Sequence, residues 1–84
     1  IDLTVGNADA IRDFYKSVVG WHVAPVEMEG YHDYAMQTEG LRKSAAGICW
    51  ARGVNEGMPP AWIIYITVAN LDESMARAVE LGGK

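Results

Sequence analysis

From Ile1 to Val5 the chain alternates, with Ile1, Leu3 and Val5 on one side and Asp2 and Thr4 on the other, which predicts a strand with one buried face. The period then lengthens. Ile11, Phe14, Tyr15 and Val18 recur at i, i+3, i+4 and i+7, and Arg12, Asp13, Lys16 and Ser17 fall on the opposite side, the pattern of an amphipathic helix. Asn7 is placed to cap it, Asp9 adds a negative charge to its first turn, and Gly20 stops it. Trp21 to Met28 predicts a strand, which Pro25 assigns to an edge or a bulge because proline has no ladder donor. Tyr31 to Thr38 predicts another, with His32, Tyr34 and Met36 on one side and Asp33, Ala35 and Gln37 on the other. A polar loop from Glu39 to Ser44 leads to a short apolar strand, Ala46 to Arg52.

Residues 53 to 61 contain two glycines and the Pro59-Pro60 pair, and read as a connector. The alternation resumes at Trp62, with Trp62, Ile64, Ile66 and Val68 on one face and Ile63, Tyr65 and Thr67 on the other, predicting a strand over Trp62 to Val68. A second helix follows. Asn70 with Glu73 makes a capping-box pattern, and Leu71, Met75, Ala78 and Val79 form its apolar stripe up to Gly82 and Gly83.

The two strand-helix openings are similar to each other. Ile1-Asp2-Leu3-Thr4-Val5-Gly6-Asn7-Ala8-Asp9 returns as Ile64-Tyr65-Ile66-Thr67-Val68-Ala69-Asn70-Leu71-Asp72 at a constant shift of 63 positions, and Gly20 falls on Gly83. The predicted order is therefore β-α-β-β-β followed by β-α. A second complete unit would need three further strands, so the expectation is a piece of a two-unit protein or a chain whose remaining strands come from elsewhere.

Composition narrows the function. The chain has 84 residues, half of them hydrophobic and 21% charged, which suits one globular domain. A domain this small buries only about 60% of its unfolded surface, and a homodimer is the expected remedy. The net charge of −4, with seven scattered Lys and Arg, opposes a nucleic-acid role. No apolar run approaches the roughly 20 residues that span a bilayer, so no membrane role is expected. The single cysteine, Cys49, has no internal disulfide partner and fits a reducing, cytoplasmic setting.

The repeated order, together with the run Ile1-Asp2-Leu3-Thr4-Val5 … Asp9 … Phe14-Tyr15 … Val18-Val19-Gly20-Trp21, resembles the vicinal oxygen chelate superfamily of glyoxalase I, bleomycin resistance proteins and extradiol dioxygenases. Asp13-Phe14-Tyr15 with Val19-Gly20-Trp21 is similar to the segment that closes the first helix there. Asn70-Leu71-Asp72 with Leu81-Gly82-Gly83 resembles the start of the second unit. The resemblance implies an α+β fold of tandem βαβββ units, a curled mixed sheet with helices outside, here as βαβββ-βα. The chain is then a partial domain: unit one over residues 1–52, a linker over 53–61 and the start of unit two over 62–84.

The resemblance also implies a pocket on the concave face. Ile1, Leu3, Val5, Ile64, Ile66 and Val68 are expected to back onto helices, leaving Asp2, Thr4, Ile63, Tyr65 and Thr67 toward the cavity, with Cys49 near the last strand's family ligand position. The metal enzymes of that family bind a divalent ion five residues before the valine that ends the first strand of each unit. That position is Ile63 in the second copy, which has no donor atom, and it lies before Ile1 in the first. Cys49 stands where a Glu is expected, and the ordinary reading of a single cysteine is a small buried hydrophobe. No metal site is therefore assigned within the chain, and a divalent ion is expected only if its ligands lie outside residues 1–84.

Other chemistry is thin. His22 and His32 lie on neighbouring predicted strands and could face each other, although no third ligand accompanies them. Glu27, Glu29, Asp33 and Glu56 read as solvated loop or edge charges. Trp21, Tyr31, Tyr34, Trp50, Trp62 and Tyr65 either line a pocket for a flat ligand or pack in a core, and only Tyr65 is assigned to the pocket by parity. Two functions follow from the resemblance. One is a metal-free, glyoxalase/bleomycin-resistance-like domain that binds a small, partly aromatic molecule; the other is a metal-dependent lyase, isomerase or dioxygenase with ligands outside the chain. A ferredoxin-like dimer is a third arrangement, opposed by the three strand signals between Trp21 and Arg52.

Overall fold

The computed structural model describes residues 1–38, 40 and 43–84. It is an α+β fold in which β1 (Asp2–Val5), α1 (Ala8–Val19), β2 (His22–Glu27), β3 (His32–Gln37) and β4 (Ser44–Trp50) are followed by a 3-10 turn, Gly53–Asn55, then β5 (Trp62–Ile63) and α2 (Leu71–Glu80). The five strands form one mixed sheet in the order β2-β3-β4-β1-β5. β1 runs parallel to β4 and antiparallel to β5, and the β2-β3-β4 meander is antiparallel. Pro25 sits on β2, the outer edge, where a missing donor costs no ladder bond. β4 begins two residues earlier than the hydrophobic run indicates, at Ser44. Of the expected 39–44 loop, residues 39, 41 and 42 lie outside the described residues.

Period two assigns the two faces. The pairs Leu3↔Ile48, Tyr34↔Ile48 and Met36↔Ala46 align the large apolar side chains on the face that α1 covers. There Met36, Ile48 and Ala8 are fully buried, with Leu3, Tyr34 and Ala46 close behind. α1 is set over this core by its ends. The Asn7 side chain accepts from the Ala10 amide at 3.1 Å, and Gly20 closes the helix in the left-handed conformation, φ 81°, with its N–H on the Lys16 carbonyl. Ile11 and Tyr15 pack against the core, whereas Phe14 and Val18, expected in the same stripe, stay exposed because Ala8 is the residue seated on the sheet.

Aromatic rings close the β5 end of this face. Tyr15 stacks on Trp21 with centroids 5.9 Å apart and meets Trp62 edge-on at 5.3 Å, and the Trp62 indole N–H donates to the Tyr15 hydroxyl at 3.1 Å. Tyr34 donates to the Asp9 carboxylate beneath the Arg12 guanidinium, which lies 4.6 Å from the ring centroid.

The second strand-helix opening is not built into this core. β5 pairs for two residues only, Asp2↔Ile63 and Leu3↔Trp62, and Ile64 to Val68, expected to continue the strand, lies outside the ladder with no regular structure. The register explains this: the antiparallel ladder runs down toward the first residues of β1 and ends with them. Ile64 and Ile66, expected to back onto a helix, are exposed, as are Leu71, Met75 and Val79 of α2. The Cα radius of gyration, 15.2 Å, exceeds the roughly 12 Å of a compact chain this long, as a projecting helix requires. Among the described residues no helix is long and apolar enough to cross a membrane.

Candidate functional site

The face of the sheet turned away from α1 carries the residues of opposite parity. Asp2 pairs with Gly47, Thr4 with Cys49, Ala35 with Gly47 and Asp2 with Ile63, so these side chains share that face. Ala35, Ala45 and Gly47 are small, and the sheet is hollowed above them. The hollow, about 320 Å³ and open to solvent, is lined by Ile1, Asp2, Val26, Asp33, Ala35, Ala45, Gly47 and Cys49 among others.

Gly47 makes room for the Asp2 carboxylate. A Cβ there would collide with Asp2 Oδ1 and lie 3.1 Å from its Cγ, so the carboxylate rests directly over the glycine. Asp33, read from sequence as a solvated charge, is only 7% exposed. Its Oδ1 accepts the Trp50 backbone N–H at 2.9 Å, taking the bond that the next ladder step would have supplied and ending the β3-β4 pairing at that point. This is the physical reason for the burial: a carboxylate leaves water when it gains a backbone donor in exchange.

Cys49 lies between the two carboxylates. Its burial first, then the charges of Asp33 and Asp2 and the hydrogen bond to Asp33, push the thiol up to about 11, against a small opposing effect of Thr4. It is therefore a protonated thiol near neutrality and a poor nucleophile. Thr4, 3% exposed, lies beside it under the surface. The Tyr65 hydroxyl is raised above the ordinary phenol value, chiefly by hydrogen bonding to the Asp2 carboxylate and then by that group's charge.

Of the residues assigned from sequence, Asp2 and Cys49 line the hollow and Thr4 lies beside Cys49 on β1; Ile63, the ladder partner of Asp2, and Tyr65, 63% exposed, are outside the lining. Thr67 is exposed and outside the lining. The sequence reading missed Asp33, Gly47 and the alanines. Their signal was the alternation of small Ala35, Ala45 and Gly47 with large Tyr34, Met36 and Ile48, which marks a face that must stay shallow.

The other candidates disperse. His22 pairs with Gln37 and His32 with Glu27, so the two histidines lie at opposite ends of the β2-β3 ladder and on opposite faces, and they cannot share a site. Trp21, Tyr34, Trp50 and Trp62 belong to the helix-side core, and Tyr31 lies under Arg52, whose guanidinium is 4.3 Å from the ring centroid. Among the described residues no three His, Cys, Asp or Glu side chains are grouped so as to hold a metal ion. The position at which the family resemblance implies a ligand in the second copy is Ile63, which has no donor atom.

No protein-family model matches the chain, and no solved structure matches it. Two relatives do. The chain is 32% identical over 93 aligned positions, covering all of it, to the proteins named "Putative glyoxylase CFP32" of Mycobacterium bovis and Mycobacterium tuberculosis. It spans one third of the length of those relatives. The chain is thus similar to a glyoxalase-like protein along its entire length, in agreement with a five-stranded mixed sheet that contains one βαβββ unit.

Proposed function

We propose that the chain is part of a glyoxalase-like domain that binds a small, partly aromatic molecule on the concave face of its sheet without a metal ion of its own. The supporting observation is the hollow over Ala35, Ala45 and Gly47. Its volume of about 320 Å³ is at the lower end of small-molecule sites, its floor is apolar, and Asp2 and Asp33 supply convergent acceptors. Two carboxylates, with no Lys, Arg or His among the described residues of the lining, favour a neutral or cationic ligand that donates hydrogen bonds. Tyr65 offers an aromatic edge beside Asp2. The two-unit organisation, with residues 1–52, 53–61 and 62–84 as unit one, linker and start of unit two, belongs to the same reading. So does a homodimer, favoured by the exposed apolar side chains of Ile64, Ile66, Leu71 and Val79.

Thermal-shift screening of the full-length protein against small aromatic amines, aromatic alcohols and aromatic carboxylates tests the pocket. The first two classes are expected to raise the melting temperature, with the effect lost in Ala35→Trp; stabilisation by carboxylates alone overturns the reading. Light scattering tests the dimer, and a monodisperse monomer counts against it.

The relatives carry an enzyme's name, which supports a second reading: a metal-dependent lyase, isomerase or dioxygenase whose donors lie outside residues 1–84. Elemental analysis decides between them. One tightly held divalent ion per site, with activity lost on chelation, would replace the metal-free reading.

A further inference from the structure

The end of the sheet at which β3 begins and β4 finishes is joined by side chains in place of backbone. The β3-β4 ladder stops at Tyr34↔Ile48, while β4 stays beside β1 as far as Val5↔Trp50, and the Ala51 amide donates to the Val5 carbonyl at 2.9 Å. β4 therefore leaves β3 and follows β1. Two side chains span the widening gap. Asp33 takes the Trp50 amide at 2.9 Å, and two residues further along each segment the Tyr31 hydroxyl donates to the Arg52 carbonyl at 3.3 Å. Tyr31 is itself held, since its carbonyl accepts the Met28 amide at 2.8 Å and closes the β2-β3 turn.

The Tyr31 side chain meets both residues at which the chain turns away from β4. Its ring centroid lies 4.3 Å from the Arg52 guanidinium, and its hydroxyl stands 3.1 Å from where a Cβ on Gly53 would be. Gly53 is left-handed, φ 58°, a conformation that glycine adopts without the steric cost of a side chain. The chain reverses there. The Arg52 and Gly53 carbonyls accept the Asn55 and Glu56 amides at 3.0 and 3.2 Å, and the Asn55 carbonyl accepts the Met58 amide at 3.2 Å. Residues 53–58 are thus a run of consecutive turns that starts on the carbonyl Tyr31 holds. The linker they belong to delivers Trp62, which donates to Tyr15, and Ile63, which pairs with Asp2 of the hollow.

We propose that Tyr31 is a clamp on the exit of β4, which sets the direction of residues 53–61 and through them the docking of Trp62 and Ile63 on the sheet. β5 makes only two ladder pairs, so little of its own pairing opposes the entropy of a free loop. A linker built of turns and fixed at its first residues has fewer arrangements to lose. Tyrosine suits the place because one rigid side chain supplies both a donor for the Arg52 carbonyl and a ring face for the Arg52 guanidinium.

Amide hydrogen exchange of the full-length protein, measured by NMR, tests the clamp by comparing segments. Tyr31→Phe keeps the ring over Arg52 and removes the donor. The Asn55 and Glu56 amides are then expected to exchange roughly two- to tenfold faster, the size of one hydrogen bond, and residues 62–63 to follow in the same direction. Residues 34–36 and 46–48 of the core are expected to keep their wild-type protection. Tyr31→Ala removes the ring as well and is expected to enlarge the effect at both places. Unchanged exchange at residues 55–56 in Tyr31→Phe, faster exchange there with residues 62–63 unmoved, or an equal acceleration in the core overturns the proposal. Should Tyr31→Ala fail to fold, Tyr31→Phe alone decides.

Discussion

Asn7 and Asn70 cap their helices identically, accepting from the third amide at 3.1 and 3.0 Å, yet what lies behind the caps differs completely. Ala8 is 0% exposed and Leu71, its counterpart 63 positions on, is 64% exposed. The local sequences agree in strand, cap and helical period, so both form the same elements. Only the first has β2, β3 and β4 beneath it. A strand-helix motif thus carries its own hydrogen bonds but not its own core, and its apolar stripe is stabilising only where a sheet receives it. The comparison also explains the strand lengths. β1 is held between β4 and β5, whereas beyond Ile63 the second strand has no ladder partner.

The sharpest way to break this comparison is to remove apolar volume from each side. Met36→Ala, in the filled half, is expected to cost about 2–5 kcal/mol in denaturant unfolding, whereas Val79→Ala on α2 should cost under about 0.5 kcal/mol. Equal losses would mean that α2 is packed in solution.

Cys49 tests the electrostatics of the hollow. With its thiol raised to about 11, alkylation of the folded protein at pH 8 should run roughly 10- to 100-fold slower than in denaturant and accelerate toward pH 11. The sign for stability follows from proton binding: the folded state retains this proton longer. Its contribution is complete below the ordinary thiol pKa and is lost as pH rises through about 11.

Asp33→Ala leaves the Trp50 amide without its acceptor and is expected to cost about 1–3 kcal/mol by the same unfolding measurement. Asp33→Asn keeps an acceptor, so it should cost less than half as much while speeding Cys49 alkylation, because the neighbouring negative charge is gone.

The smallest expected effect separates the two caps. Asn7→Ala should lower global stability by about 1 kcal/mol, since α1 covers the core. Asn70→Ala should reduce the circular dichroism of α2 by a few residues of helix and leave the unfolding midpoint within error, since that helix is not coupled to the core.

Most of the fold was legible along the chain. Periods of two and 3.6 located five strands and two helices, Asn7, Gly20 and Asn70 marked the helix ends, and Pro25 restricted β2 to an edge or a bulge, because each of these signals acts within a few residues of backbone. The parity of Asp2, Thr4 and Ile63 likewise followed from alternation alone. The site was legible only in part. Asp33 read as a surface charge because nothing local announces that its carboxylate will take the Trp50 amide, a bond made across a meander 17 residues long. His22 and His32 read as neighbours until the antiparallel register set them at opposite ends. Gly47 read as a strand glycine until β1 arrived beside it with Asp2. Sequence by itself determined which backbone segments extend or coil and which side of each is apolar, since these depend on neighbours one to four positions away. Tertiary structure alone decided which apolar faces were covered and which polar groups converged, because burial and register are set by strands that meet from far along the chain.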